Sequence, residues 1–411
     1  MKTCFRILSG IIAVLVIVFG ITIGIVEQSI PDSYKVIQGQ ELDLQTFGLS
    51  AKQVMEEDVR VVSMNTANMD YETEVRLFDV IPIKKVQVQV ANQMMLIPCG
   101  TPFGIKMFTN GVVVVGMSDI MTDSGYLNPA IQAGLKIGDI ITAINGEEVN
   151  ENEQVSHAIQ ESDGKLLTLT LKRNNEQLEV SLYPVKSVKD NSYKGGLWVR
   201  DSTAGIGTVT FYNPVNGLFG GLGHGICDID TNSLMPMKNA DIVPVTINGI
   251  IKGQKGSAGE LRGYFSSNRP IGNLYVNSDE GVYGILEASP VMQEALPVAM
   301  KQEVLEGPAQ IRATVEDGEP TYYEVTIESI DFKDTSRVKN LVVCVNDPTL
   351  LEKTGGIVQG MSGSPIIQDG KLVGAVTHVF LNDPTRGYGI FAENMIENMV
   401  AVELETVQKA S

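Results

Sequence analysis

Histidine and cysteine are both scarce in this chain, and their scarcity excludes several chemistries. There are three histidines and four cysteines in 411 residues. Cys4 lies ahead of an apolar run, which leaves Cys99, Cys227 and Cys344, an odd number that makes no disulfide framework. A bridge from Cys227 to Cys344 is conceivable if their neighbours His224 and Asp347 converge; free thiols buried in strands are the favoured reading. Neither a CxxC pair nor a histidine cluster is present, so no metal and no cofactor is expected. Positive charge is also short, with 31 Lys and Arg against 49 Asp and Glu and a net charge of −18. That balance argues against nucleic acid and against adhesion to anionic lipid surfaces. It leaves protein as the expected partner.

Residues 7–26 contain no charge at all and are preceded by Lys2 and Arg6. Twenty apolar residues match the hydrocarbon thickness of a bilayer, and the flanking cations place the N-terminus in the cytoplasm. No small-x-small cleavage site follows Val26, so an anchor is expected, with everything from Glu27 onward outside the cytoplasm. Hydrophobic residues make up 43% of the chain and charged ones 19%, the balance of a globular protein. Its 41 glycines fit a turn-rich, mostly β protein of two or three domains.

The chemistry is concentrated near the C-terminus, in Gly360-Met361-Ser362-Gly363-Ser364-Pro365. Glycines on both sides of Ser362 let a substrate approach without a Cβ clash, and the amides of Gly360, Met361 and Ser362 are candidate oxyanion donors. Apolar residues 366–367 and 372–376 flank Asp369-Gly370, a strand–turn–strand signal. The pattern G-x-S-G-x-P feeding into a hairpin resembles the nucleophile segment of trypsin-like serine peptidases. His224 lies between Gly223 and Gly225, open to a second side chain, and is the expected general base, with His378 the runner-up and His157 on a solvated helix face. Three carboxylates could orient it. Asp347, ending an apolar strand before Pro348, is chosen over Asp228 and Asp230, although it lies only fifteen residues before the serine. Ser364 sits too deep in the turn to compete with Ser362.

Residues 97–186 contain Ala133-Gly134-Leu135, Gly138-Asp139-Ile140 and Ile144-Asn145-Gly146 in close order. This stretch resembles a PDZ domain of the bacterial peptidase type. The resemblance implies peptide binding by strand addition, with Pro102, Phe103, Gly104 and Ile105 at the positions of the carboxylate-binding loop. The string Leu77-Phe78-Asp79-Val80-Ile81-Pro82, the run Gly223-His224-Gly225-Ile226-Cys227-Asp228 and the serine segment together resemble the stage IV sporulation protein B peptidase family. Membership implies an exported serine peptidase of endospore formers, acting between the forespore and mother-cell membranes. Its substrate would be a membrane-bound regulator of an intramembrane protease, leading to sigma-factor activation, and it would also process its own N-terminal segment.

The expected fold is mainly β. Residues 1–26 form a transmembrane anchor or uncleaved signal, 27–73 a polar stalk with a short helix at 50–57, and 74–96 a β segment. A PDZ domain at 97–186 and a trypsin-like double β-barrel peptidase domain at 187–411 complete it. The competing reading is a membrane-tethered PDZ peptide-binding protein with an inactive peptidase-like domain. A structural envelope protein, with glycine turns only, is a third.

Overall fold

The computed structural model describes residues 2–44, 49–53, 70–174, 176–332, 336–399 and 402. The chain opens on a helix, α1 (Lys2–Ser29), whose segment Gly10–Ser29 has mean hydropathy 2.6 and no buried part. It is long and apolar enough to cross a membrane.

After it come β1 (Ser33–Ile37), β2 (Leu49–Gln53), β3 (Tyr71–Leu77) and β4 (Ile81–Ala91), one sheet in the order β1-β4-β3-β2. Val75, Val86 and Val88 meet Ile30, Tyr34 and Val36 in its core. Among the described residues of 27–73, Ser33–Ile37, Leu49–Gln53 and the start of β3 are strands of a packed sheet and not an irregular stalk. The apolar alternation at Tyr34 and Val36 spans only five residues, too short to stand out from loop as a period-two pattern. Leu49–Gln53 is a strand where a helix was expected over 50–57, and 54–57 lie outside the described residues.

The next strand, β5 (Met95–Met117), serves two folding units. Its residues 97–108 pair with Leu197–Tyr212 on one side, and 103–109 with Met237–Ile251 on the other. From Leu197–Tyr212 the ladder passes through Leu218–Gly221, Gly281–Leu286 and Gly272–Ser278 to Met237–Ile251, closing a ring of six strands. Phe103, Ile105, Met107, Phe219, Leu222 and Ile242 fill its interior.

At Gly111 (φ +89) β5 leaves this ring, and a Cβ there would lie 2.7 Å from the Ile140 side chain and 2.8 Å from the Ile141 carbonyl. Its end pairs with Ile140–Ile144, and Leu167–Arg173 and Glu176–Leu182 extend that sheet. The helices Pro129–Gln132 and Asn152–Glu161 cover it, with Ala130, Val155 and Ile159 packed on Val112, Ile141 and Leu169. His157 is 72% exposed on the longer helix, 3.3 Å from Glu161. This small unit thus lies, in sequence, between two paired strands of the first barrel. Residues 97–109 pair within that barrel, so β5 is shared between the small unit and the larger one expected from 187.

The second barrel is closed by Gly307–Ala313, Thr321–Ile330, Leu341–Val345, Asp383–Phe391, Lys371–Phe380 and Pro365–Gln368. Asp369 (φ +49) and Gly370 (φ +75) make its expected tight turn. Leu96, Phe211, Tyr283, Leu372, Ala375 and Ile390 pack together in one cluster drawn from strands of both barrels. Arg312 Nη1 donates to the Pro98 carbonyl at 2.7 Å, and Thr314 Oγ1 to the Gly100 carbonyl at 3.0 Å. Lys35 of β1 bonds Glu397 at 2.6 Å, and Gln302 donates to the Lys35 carbonyl at 2.6 Å, so the N-terminal sheet is docked on this half.

Candidate active site

Two loops meet where the barrels touch, and Thr208 on the strand Leu197–Tyr212 is the point to which both are tied. Its hydroxyl donates to the Gly360 carbonyl at 2.7 Å, and its amide to the Ser362 carbonyl at 3.2 Å. Its own carbonyl accepts from the Leu222 amide at 3.2 Å, two residues before His224. Gly363 has φ +95, and a Cβ there would stand 2.3 Å from the Thr208 oxygen and 2.5 Å from the Leu222 nitrogen. No other residue type fits that contact. The serine loop is thereby pressed against the histidine loop, and Ser362 and His224 line one cavity of about 430 Å³.

The His224 Nδ1 lies 2.9 Å from the Gly225 carbonyl. A carbonyl only accepts, so this bond places the proton on Nδ1 and leaves the Nε2 lone pair open. Burial holds the pKa of His224 below its usual value, against the Gly225 bond, which favours the cation. His378 lies beside it with ring centroids 4.9 Å apart and a 38° tilt. Partial burial, then the charges of His224 and Lys339, lower the His378 pKa to about 4. Both rings are neutral at pH 7. The Ser362 hydroxyl donates to the Thr377 carbonyl at 2.8 Å, adjacent to His378 in the same strand.

The remaining expected residues fall elsewhere. Asp347 does not orient His224: it caps the helix Pro348–Thr354, accepting from the Leu350 amide at 2.9 Å and the Glu324 amide at 3.3 Å. Asp228 and Asp230 are paired with Arg200, the latter at 2.7 Å, and Asp228 also accepts from the Asp230 and Thr231 amides. Burial raises the Asp228 pKa, but the Thr231 amide and Arg200 outweigh it and the net shift is downward. Among the described residues, no carboxylate lies within ion-pair reach of His224. The Met361 amide donates to the Val358 carbonyl at 3.1 Å within a turn, so it is not free to act as an oxyanion donor. Ser364 is fully buried.

Pro102, Phe103, Gly104 and Ile105 do not form an open carboxylate-binding loop. They are paired on one side with 205–208, and Phe103, Gly104 and Ile105 are also paired with 242–244. A Cβ at Gly104 would strike the Phe265 ring at 2.5 Å, and Phe103 is 1% exposed. These pairings place all four in the barrel ladder. Cys99, Cys227 and Cys344 are free, with Cys99 buried and Cys227 exposed at the cavity wall. Among the described residues no group of three or more His, Cys, Asp or Glu is placed to hold a metal. Thr208 and Thr377 were not singled out from the sequence, because their role depends on pairings about 150 and 15 residues away.

A serine loop and a histidine loop facing one cavity between two six-stranded rings is the arrangement of two-barrel serine peptidases. The chain belongs to the SpoIVB peptidase S55 family, whose model matches residues 191–396. A PDZ domain model matches residues 103–183. Among curated proteins, it is 38% identical over 74 residues to the regulator of sigma-W protease RasP of Bacillus subtilis, covering 18% of this chain and 17% of that one. It is 38% identical over 76 residues to the serine protease HTRA1 of Xenopus tropicalis, covering 18% and 15%. The chain thus spans about a sixth of the length of these curated relatives. Among solved structures it is similar to the Rv3671c protease in its inactive form, at 13% identity and TM-score 0.28, covering 48% of this chain and 84% of that one. It is also similar to the PDZ domain of an SdrC-like protein from Listeria monocytogenes, at 20% identity and TM-score 0.18, covering 22% and 87%.

Proposed function

We propose that the chain is a membrane-anchored serine endopeptidase acting outside the cytoplasm, with Ser362 the nucleophile and His224 the general base. One observation carries this reading: the two side chains share a cavity while Nδ1 of His224 is committed to the Gly225 carbonyl. In this reading the Ser362 hydroxyl must leave the Thr377 carbonyl and take the open Nε2 of His224 as its acceptor. His224 removes the proton as Oγ attacks the scissile carbonyl, and the tetrahedral oxyanion is held by the amides of Gly360 and Ser362. His224 then protonates the leaving amine, and water hydrolyses the acyl-enzyme by the same route. The Gly225 carbonyl supplies the tautomer control that a carboxylate supplies elsewhere.

Family membership, the apolar helix and the acidic net charge support a protein substrate at a membrane. The substrate we propose is a membrane-bound regulator of an intramembrane protease, cleaved in the space between forespore and mother cell during sporulation signalling. The chain's own N-terminal segment is a second substrate. The test is labelling of the full chain, in detergent, by a fluorophosphonate probe. Labelling abolished by Ser362→Ala and His224→Ala supports the assignment; labelling that survives Ser362→Ala, or never occurs with or without candidate substrate, overturns it.

The hydrogen bond from Ser362 to Thr377 favours a second reading, a tethered peptide-binding protein with an inactive peptidase-like half. That protein binds peptides without cleaving them and takes no label.

A further inference from the structure

The cavity that holds Ser362 and His224 has walls of one chemical character. Residues 357–360 run directly into the serine loop, and Thr377, His378 and Val379 of the strand Lys371–Phe380 line the cavity with Leu381 of the turn that follows. Between them Ile206, Ala258, Ile357, Val358, Val379 and Leu381 contribute aliphatic surface. Among the described residues lining the cavity none is Asp, Glu, Lys or Arg. The only ionisable side chains there besides Cys227 are the two histidines, and both are held in the neutral form.

The backbone explains why aliphatic side chains come to face this space. Gly355 and Gly356, just ahead of the serine loop, are closely packed. A Cβ at Gly355 would lie 2.5 Å from the Gly253 carbonyl, and one at Gly356 2.1 Å from the Pro384 carbonyl. The Ile357 amide then donates to that Pro384 carbonyl at 2.8 Å, and Val358 pairs with Gly259 beside Ala258. These fixed contacts deliver Ile357 and Val358, each almost fully buried, to the cavity next to the nucleophile.

Resting on the peptidase reading above, we infer that the enzyme selects substrates with a medium-sized aliphatic residue immediately before the scissile bond. That residue must lie beside Ser362 when its carbonyl is attacked, and the surface waiting there gives apolar contact and no counter-ion. A leucine or valine gains from leaving water. A lysine or aspartate is desolvated with nothing to pair it, a large penalty. Glycine forfeits the contact.

The full chain in detergent, with the fluorophosphonate label as an independent measure of a working site, tests the inference. The probes are fluorogenic peptides identical except for leucine, valine, glycine, lysine or aspartate before the cleaved bond. We expect kcat/KM for leucine or valine to exceed that for lysine and aspartate at least 100-fold, and glycine at least 10-fold. Leu381→Glu changes an exposed residue at the cavity rim, 58% accessible, and should raise the lysine peptide at least 10-fold relative to leucine. Ala258→Asp is the second variant and should shift preference the same way. Equal rates across the series on labelled enzyme, or an unmoved preference in both variants, overturn the inference and leave the peptidase intact. Absence of labelling removes both.

Discussion

At the scale of single residues, the site depends on contacts that tolerate almost no change. Gly363→Ala would drive a methyl to 2.3 Å from the Thr208 oxygen, at a φ that disfavours any side chain. Thr208→Val removes the hydroxyl on the Gly360 carbonyl and should cost about 1–2 kcal/mol of stability with at least a tenfold loss of kcat/KM. Thr208→Ser should restore most of both. Thermal unfolding and peptide hydrolysis measured side by side check this; a Thr208→Val protein with unchanged turnover would remove the residue from the positioning scheme.

The pH dependence follows from His224. Burial disfavours its cation, so the neutral form needed of a general base persists as pH falls below the ordinary histidine value of about 6.5. Activity is therefore retained above that value and lost only as pH drops through the lowered one. The acid limb of kcat/KM should have its midpoint below 6.5, and a midpoint above 7 would contradict the assignment.

Asp347 shows what was hidden at this scale. Its context, Asp before Pro348 and a short apolar run, carries a helix N-cap signal that competed with the reading of a triad acid. The glycine-flanked serine and histidine were legible because their pattern is local. That no carboxylate among the described residues reaches His224 was not, because it depends on which loops fold together.

At the scale of elements, the strand Leu197–Tyr212 connects the parts. Its Arg200 holds Asp228 and Asp230 in the loop just after His224, its residues 203–206 line the cavity, and its Thr208 fixes the serine loop. Arg200→Ala leaves the nearly buried Asp228 without its cation and should cost about 2 kcal/mol. Hydrogen exchange should rise in residues 226–233 and stay unchanged in the second barrel. Exchange unaltered at 226–233 would show that the loop does not depend on this pair. The tight turn at Asp369-Gly370 was readable from two residues, whereas the double pairing of β5 was not. Pro102-Phe103-Gly104-Ile105 fits a PDZ loop as text, yet the barrel pairs Phe103, Gly104 and Ile105 on both sides and Pro102 on one.

For the whole molecule, the PDZ unit precedes the peptidase match in sequence, and β5 is shared between that unit and the first barrel. A chain beginning at residue 187 lacks β5, which sits between Leu197–Tyr212 and Met237–Ile251 in the closed ring. It should aggregate or melt without cooperativity, whereas a chain beginning at residue 93 should unfold in a single sharp transition. Circular dichroism with gel filtration distinguishes them, and a cooperatively folded 187–411 would contradict the strand order described above. Composition alone indicated a mainly β protein with an apolar leader. Ring closure escaped it because hydrophobic alternation reports that a strand exists and says nothing of its neighbours.

The tie from Thr208 to Gly360 spans 152 residues and joins the histidine loop to the serine loop. A polypeptide that emerges N-terminus first presents the imidazole loop well before the hydroxyl. On the peptidase reading, cutting capacity therefore stays withheld until the two loops, separated by more than a hundred residues, have both emerged and closed on each other.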